Sequence, residues 1–327
     1  MKKKLLWGFG ALWMIFVTVV LLNSPRWAPD PQGGIQMIAH RGVHHLYDPS
    51  GVGRDDCTAI RMLPGQEESD IFENTVHSIR AAVTAKADMV EVDVAPTKDG
   101  KMVLFHDWTL DCRTDGKGET RSKTLAELKA LDIGHGYSAD GGKTFPLRGK
   151  GFGKIPTVEE ALAAESYKPF LFNFKSKNPD EADQLAAILK AAGRDPVVEG
   201  DGFYGGEAPT RRMAALFPGV WAWTKPGVKA CTKDYVWMGW LGITPDSCKN
   251  GTLIVPLDRQ WMVSGWPSRT IARMDAVGAR ILITGPMNDR ESTRGLIHGD
   301  QLADIPVGYN GYVMVEDILH VGPALIR

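Results

Sequence analysis

The sequence predicts an α/β fold: a (β/α)8 barrel of the TIM type, preceded by an N-terminal transmembrane helix. Three observations lead there. Short β-like runs recur at 35–40, 89–95, 102–106, 170–176, 197–203, 219–224, 252–257 and 280–284. Amphipathic stretches fit helices at 74–86, 157–165, 180–192, 209–217 and 268–278, between several of those runs. The residues with the most chemistry fall inside the runs or at their C-terminal ends, the functional face of such a barrel.

The first element comes from Lys2, Lys3 and Lys4, followed by an uncharged apolar run from Leu5 to Leu22. At about 1.5 Å per residue that run reaches roughly 27 Å, enough to cross a bilayer. The basic flank stays cytoplasmic, which places everything after Asn23 outside. No Ala-x-Ala-like site follows, so an uncleaved signal anchor is expected rather than a cleaved signal peptide. The expected organisation is a basic tail at 1–4, the anchor at 5–22, a Pro- and Gly-rich linker at 23–34 and the barrel at 35–327. Two long connections, 43–72 and 108–155, interrupt the barrel rhythm and should rise from the C-terminal ends of strands.

A net charge of −1 gives no surface for nucleic acid. Four cysteines, Cys57, Cys112, Cys231 and Cys248, suit disulfides in an exported chain, and pairing of nearest neighbours is expected.

The most informative strand is Met89–Val94, where Glu91 and Asp93 stand two apart among Val90, Val92 and Val94. A period of two puts both carboxylates on one face of a strand whose composition reads as buried. Two buried carboxylates repel unless something positive joins them, and a hard divalent cation with oxygen ligands does so. The first strand ends in His40-Arg41-Gly42, the third in His106-Asp107, and the fourth carries Asn173 and Lys175, again two apart. The set describes a cation and basic groups at a barrel mouth.

The ordered set His40-Arg41-Gly42, Glu73-Asn74-Thr75, Glu91-Val92-Asp93 and His106-Asp107 resembles the glycerophosphodiester phosphodiesterase family. Leu125 to Asp132 and Ile155 to Glu160 look like its later landmarks, and Ile281-Leu282-Ile283-Thr284 like its last strand. The likeness is good from 35 to about 177 and faint beyond.

The resemblance implies a (β/α)8 barrel that hydrolyses glycerophosphodiesters to a glycerol phosphate and an alcohol. One divalent cation, calcium or magnesium, would be held by Glu91, Asp93 and Asn173. His40 and His106 would serve as acid and base in either order, with Arg41 and Lys175 on the phosphate. Glu73 would hold Arg41 or bridge to the metal. The family has Glu where this chain has Asn173. The lost charge predicts weaker metal affinity with activity retained. Expected partners are a small phosphodiester or a lysophospholipid, with the barrel tethered on the extracytoplasmic side of a membrane. A lysophospholipase D activity, or a silent phosphate-head-group binder, are the alternatives. His44 and His45 are expected in a polar loop, and Trp266 is expected as a pocket wall.

Overall fold

The computed structural model describes residues 2–52, 56–287 and 295–326, and for residues 2–9, 11 and 12 the backbone alone. Helix α1 (Lys2–Leu22) leads to β1 (Gln36–Ala39), α2 (Val76–Thr84), β2 (Met89–Pro96), β3 (Met102–Leu104) and α3 (Leu125–Lys129). Next come α4 (Val158–Ala164), β4 (Phe170–Phe174), α5 (Asp180–Ala191), β5 (Gly202–Gly205), α6 (Glu207–Leu216), β6 (Trp221–Thr224) and α7 (Lys225–Met238). The chain closes with β7 (Thr252–Pro256), α8 (Ser268–Ala276), β8 (Arg280–Thr284), β9 (Tyr312–Val315) and α9 (Ile318–Ala324).

Eight parallel strands form a nearly closed barrel, the fold class that the sequence predicts, in the order β6-β5-β4-β2-β1-β9-β8-β7. At the seam between β6 and β7, the Trp221 indole N–H donates to Thr252 Oγ1 at 2.9 Å. Helices α2, α3 and α4 begin alike, at Thr75, Thr124 and Thr157. Each threonine hydroxyl accepts the backbone N–H three residues on, and that residue's side chain returns the bond. The motifs around Leu125 and Ile155 are therefore helix starts.

The barrel interior is filled by Ile38, Met89, Leu171, Trp221, Leu282 and Met314. A separate core, including Met62, Phe72, Phe105, Leu110, Tyr137 and Leu147, joins the two long connections to each other. Cys57–Cys112 links those connections covalently, and Cys231–Cys248 ties α7 to the segment before β7. Both pairings are the expected nearest-neighbour ones. Residues 53–55 of the first connection lie outside the described residues.

Four expectations need correction. The run at 102–106 is not a barrel strand, because β3 turns back antiparallel on β2. Ile281–Thr284 is the seventh barrel strand rather than the last; β9 follows it and closes on β1. The run at 197–203 begins too early, since the strand is Gly202–Gly205. Helix α7 was not expected at all: Lys225-Pro226-Gly227 reads as a breaker, yet proline in the first turn starts a helix.

The expected transmembrane segment, 5–22, falls in α1, and much of its length has side chains outside the described residues. Among the described residues, no helix is long and apolar enough to cross a membrane. Asn23 ends α1 by donating to Val19 O and Trp240 O, and it accepts from Arg273.

Candidate active site

The sequence places Arg41 and Gly42 in a sharp turn after β1, and both have positive φ, 57° and 73°. Only glycine fits at 42, because a Cβ there would stand 2.7 Å from Ser78 Oγ and 2.9 Å from the Ser78 backbone. The turn aims the Arg41 backbone N–H at Glu91 Oε2, 2.9 Å away. Asn74, also at φ 57°, spans to β2. Its amide donates to Asp93 Oδ2 at 2.9 Å and accepts the Asp93 backbone N–H at 2.8 Å.

Glu91 and Asp93 are fully buried on the inner face of β2. Burial and then Asp93 raise the Glu91 carboxyl above its ordinary value, against His40, Lys175 and the Tyr204 hydroxyl, which donates to Oε1 at 2.6 Å. Burial would also raise Asp93, but Lys175, His106 and Arg41 overcome it and hold Asp93 well below the carboxylate range. Lys175 Nζ lies 2.9 Å from Asp93 Oδ1, and Arg41 Nε 3.5 Å from Oδ2.

From Arg41 a chain of alternating charges runs through the inserted core. Arg41 NH1 donates to Glu73 Oε1 at 2.9 Å, and Glu73 Oε2 faces Arg113 NH1 at 3.1 Å. Arg113 Nε reaches Asp107 Oδ2 at 2.9 Å, and Asp107 Oδ1 holds His106 Nδ1 at 2.7 Å. The remaining Arg113 donors go to Tyr137 Oη and Thr58 Oγ1, beside the Cys57–Cys112 bridge. Burial opposes ionisation of Glu73, yet Arg113 and Arg41 pull its carboxyl down to about 2. Burial, with Arg41 and Lys175, lowers the His106 imidazole below its ordinary value, which keeps it in the base form at neutral pH.

The structure thus brings His40, Arg41, Glu73, Glu91, Asp93, His106, Asn173 and Lys175 together around the ends of β1, β2 and β4. Trp266 has other partners: its indole N–H donates to Gln260 and its ring lies against Tyr309, 5.4 Å between centroids. Sequence reasoning missed Arg113, Tyr204, His44 and Glu316. His44 is not in a polar loop but buried, with Nε2 2.7 Å from Glu316 Oε2, the oxygen that also meets His40 Nδ1 at 2.8 Å. His45 is buried too, bonded to Ser69 O at 3.0 Å. The His-x-x-x-His spacing was a visible signal for His44; Glu316 had none without β9.

The donor set fits a hard cation. Two adjacent buried carboxylates, one raised above its ordinary value by burial and then by the other, would be relieved by a positive charge between them. Asn173 presents its amide N–H to Asp93 Oδ1 at 2.8 Å. Its Oδ1 points toward Gly205, where an added Cβ would stand 2.4 Å away. The amide must turn over to offer oxygen to an ion.

Residues 40–194 match the profile of the glycerophosphoryl diester phosphodiesterase family. The chain is 37% identical over 112 residues to a glycerophosphodiester phosphodiesterase of Bacillus subtilis, a match covering 33% of this chain and 36% of that protein. It spans less than half the length of the first curated relatives it matches, at 36% and 42%. Its fold is shared with the glycerophosphoryl diester phosphodiesterase domain of an uncharacterised Mycobacterium tuberculosis protein, at TM-score 0.59 and 19% identity, over 90% of this chain and 99% of that one. An Oleispira antarctica phosphodiesterase solved with its product sn-glycerol-3-phosphate gives TM-score 0.54 and 19% identity, over 91% and 97%.

Proposed function

Because the chain belongs to the glycerophosphoryl diester phosphodiesterase family, we propose that it hydrolyses glycerophosphodiesters to a glycerol phosphate and an alcohol. The observation that carries this reading is the charge chain from Arg41 through Glu73, Arg113 and Asp107 to His106, set beside the buried Glu91–Asp93 pair. It delivers a fixed guanidinium and a neutral imidazole to one place, which a phosphodiester needs and a packing core does not.

In this reading Arg41 and Lys175 bind the phosphate oxygens and hold the phosphorus for in-line attack by water. His106 enters in its base form and takes the water's proton as the new P–O bond forms. His40, carrying a proton on each ring nitrogen, gives one of them to the alcohol oxygen as the old P–O bond breaks. Glu91, Asp93 and a turned Asn173 amide would hold a divalent cation, calcium or magnesium, which supplies neutralisation of phosphate charge when bound. Glu73 acts through Arg41.

The barrel is placed outside the cytoplasm and tethered by residues 5–22. The Lys2–Lys4 flank, the uncharged run and the two disulfides support that placement. Extraction of the full chain by alkaline carbonate would overturn the tether.

The deciding assay is release of glycerol phosphate from a simple glycerophosphodiester, with calcium, with magnesium and with chelator. His106→Ala is expected to lower kcat by on the order of 10²–10⁴. Binding of the diester without turnover under every condition would leave a head-group-binding protein instead.

A further inference from the structure

We infer that Glu316, backed by His44, is a positioning residue that fixes the tautomer and direction of His40, so that the proton exchanged in the reaction passes through Nε2. The inference rests on the hydrolytic reading above, and it concerns a residue outside the family-matched segment, 40–194.

The placement begins with the sheet. Strand β9 pairs in register with β1, Gln36 opposite Tyr312 and Ala39 opposite Val315. The His40 backbone N–H donates to Val315 O at 2.9 Å. Residues 40 and 316 therefore leave adjacent strand ends side by side. A single carboxylate oxygen, Glu316 Oε2, then meets His40 Nδ1 at 2.8 Å and His44 Nε2 at 2.7 Å. All three residues are buried.

A carboxylate only accepts, so each imidazole must turn an N–H toward it. That keeps one proton of His40 on Nδ1, so the proton given to the alcohol oxygen is a second one, carried on Nε2, on the side of Glu91 Oε2 at 4.0 Å. His44 has its other nitrogen, Nδ1, buried without a partner, and burial lowers its pKa to about 4. A neutral His44 donates to Glu316 without cancelling its charge. The oxygen is thereby held from a second side. His106 is served in the same manner, with Asp107 Oδ1 at its Nδ1.

The same three ligand atoms lie within 4.8 Å of one another, which also describes a metal site. The contacts at 2.7 and 2.8 Å favour shared protons. Two ligand atoms on one tetrahedral ion at about 2.0–2.1 Å stand roughly 3.3 Å apart.

The experiment uses the full chain, with turnover kinetics and histidine ¹⁵N spectra. In the wild type, the neutral form of His40 should be the Nδ1–H tautomer; finding the Nε2–H tautomer overturns the inference without any variant. Glu316→Gln should lower kcat by on the order of 10²–10³ with KM within about threefold, and shift His40 toward mixed tautomers. Glu316→Asp, which keeps the carboxylate, should recover about tenfold of that loss. A Glu316→Gln enzyme with kcat within about threefold of wild type, or a loss confined to KM, overturns it. So does a His44→Gln loss as large as that of Glu316→Gln, which would move the role to His44. If the wild type turns over no glycerophosphodiester, the substrate reading fails, and the nitrogen spectra still decide the tautomer.

Discussion

The stretch from His40 to Arg194 and the remainder of the barrel fill their interiors by different physics. In the first, the barrel mouth and the long connections carry Arg41, Glu73, Glu91, Asp93, Asp107, Arg113 and Lys175, each held by a partner of opposite charge or by a directed hydrogen bond. In the second, the interior is stacked aromatic surface. Tyr204 lies on Trp223 at 4.4 Å and Trp221 on Tyr312 at 4.6 Å, with the Arg280 guanidinium 5.0 Å from the Trp221 ring centre. A charged network fixes residue identity, because one missing partner leaves a buried ion. An aromatic stack fixes volume and tolerates many sequences. That difference explains why the likeness to known phosphodiesterases is clear across one part and faint across the other. Among the described residues, Tyr204 and Glu316 reach from the second part into the charged set.

The comparison breaks most visibly at Arg113. Arg113→Ala leaves Glu73 with Arg41 as its remaining cation and Asp107 with only the His106 imidazole, so urea denaturation should show a loss of about 3–5 kcal/mol, accompanied by loss of turnover. Trp221→Leu tests the other side. It should cost about 3 kcal/mol through lost packing and the lost bond to Thr252, with kcat within about twofold of wild type. A kcat that falls in step with stability would mean the two parts are not separable.

A smaller effect comes from pH. Burial holds the folded His44 near 4 against an unfolded value of 6.5, so the unfolded chain alone gains its proton in between. The stability contributed by this lowered pKa is present above 6.5 and lost as pH falls toward about 4. Between pH 7 and 5 it amounts to about 2 kcal/mol, visible in denaturation midpoints and absent in His44→Phe.

Smallest is Asn173→Glu, which restores a third carboxylate and should tighten divalent-cation binding about tenfold by calorimetry, or about 1.4 kcal/mol. Unchanged affinity would show that the amide already supplies all that the ion takes from this position.

What was legible follows the same division. Glu91 and Asp93 were readable because strand periodicity alone sends both side chains to one face. Helices α2 and α4 were readable from their periodicity, whereas α3, five residues long, is too short for a period to show. Strand β9 was not readable: Tyr312–Val315 is a short apolar run whose meaning comes from pairing with β1, far away in sequence. Counting β3 as a barrel strand hid that omission, since the total still came to eight. Arg113 sits in an irregular stretch, where its partners Asp107, Tyr137, Thr58 and Glu73 are assembled by packing rather than by spacing. Trp266 was placed by its position in Gly265-Trp266-Pro267 near the end of the seventh predicted run, and position does not say which way an indole faces.

The pairing of β1 with β9 also sets an order of events. A chain is made from its N-terminus, so His40 and Arg41 exist long before their neighbour on the sheet. The carboxylate that steadies His40 lies 276 residues downstream. Until it arrives, β1 has one bare edge, and the contact that closes the barrel is among the longest in sequence, the kind that forms slowly. The growing chain thus carries His40, Arg41, Glu91, Asp93, His106 and Lys175 well before Glu316, and the partner that His40 meets at its Nδ1 comes only with the final strand.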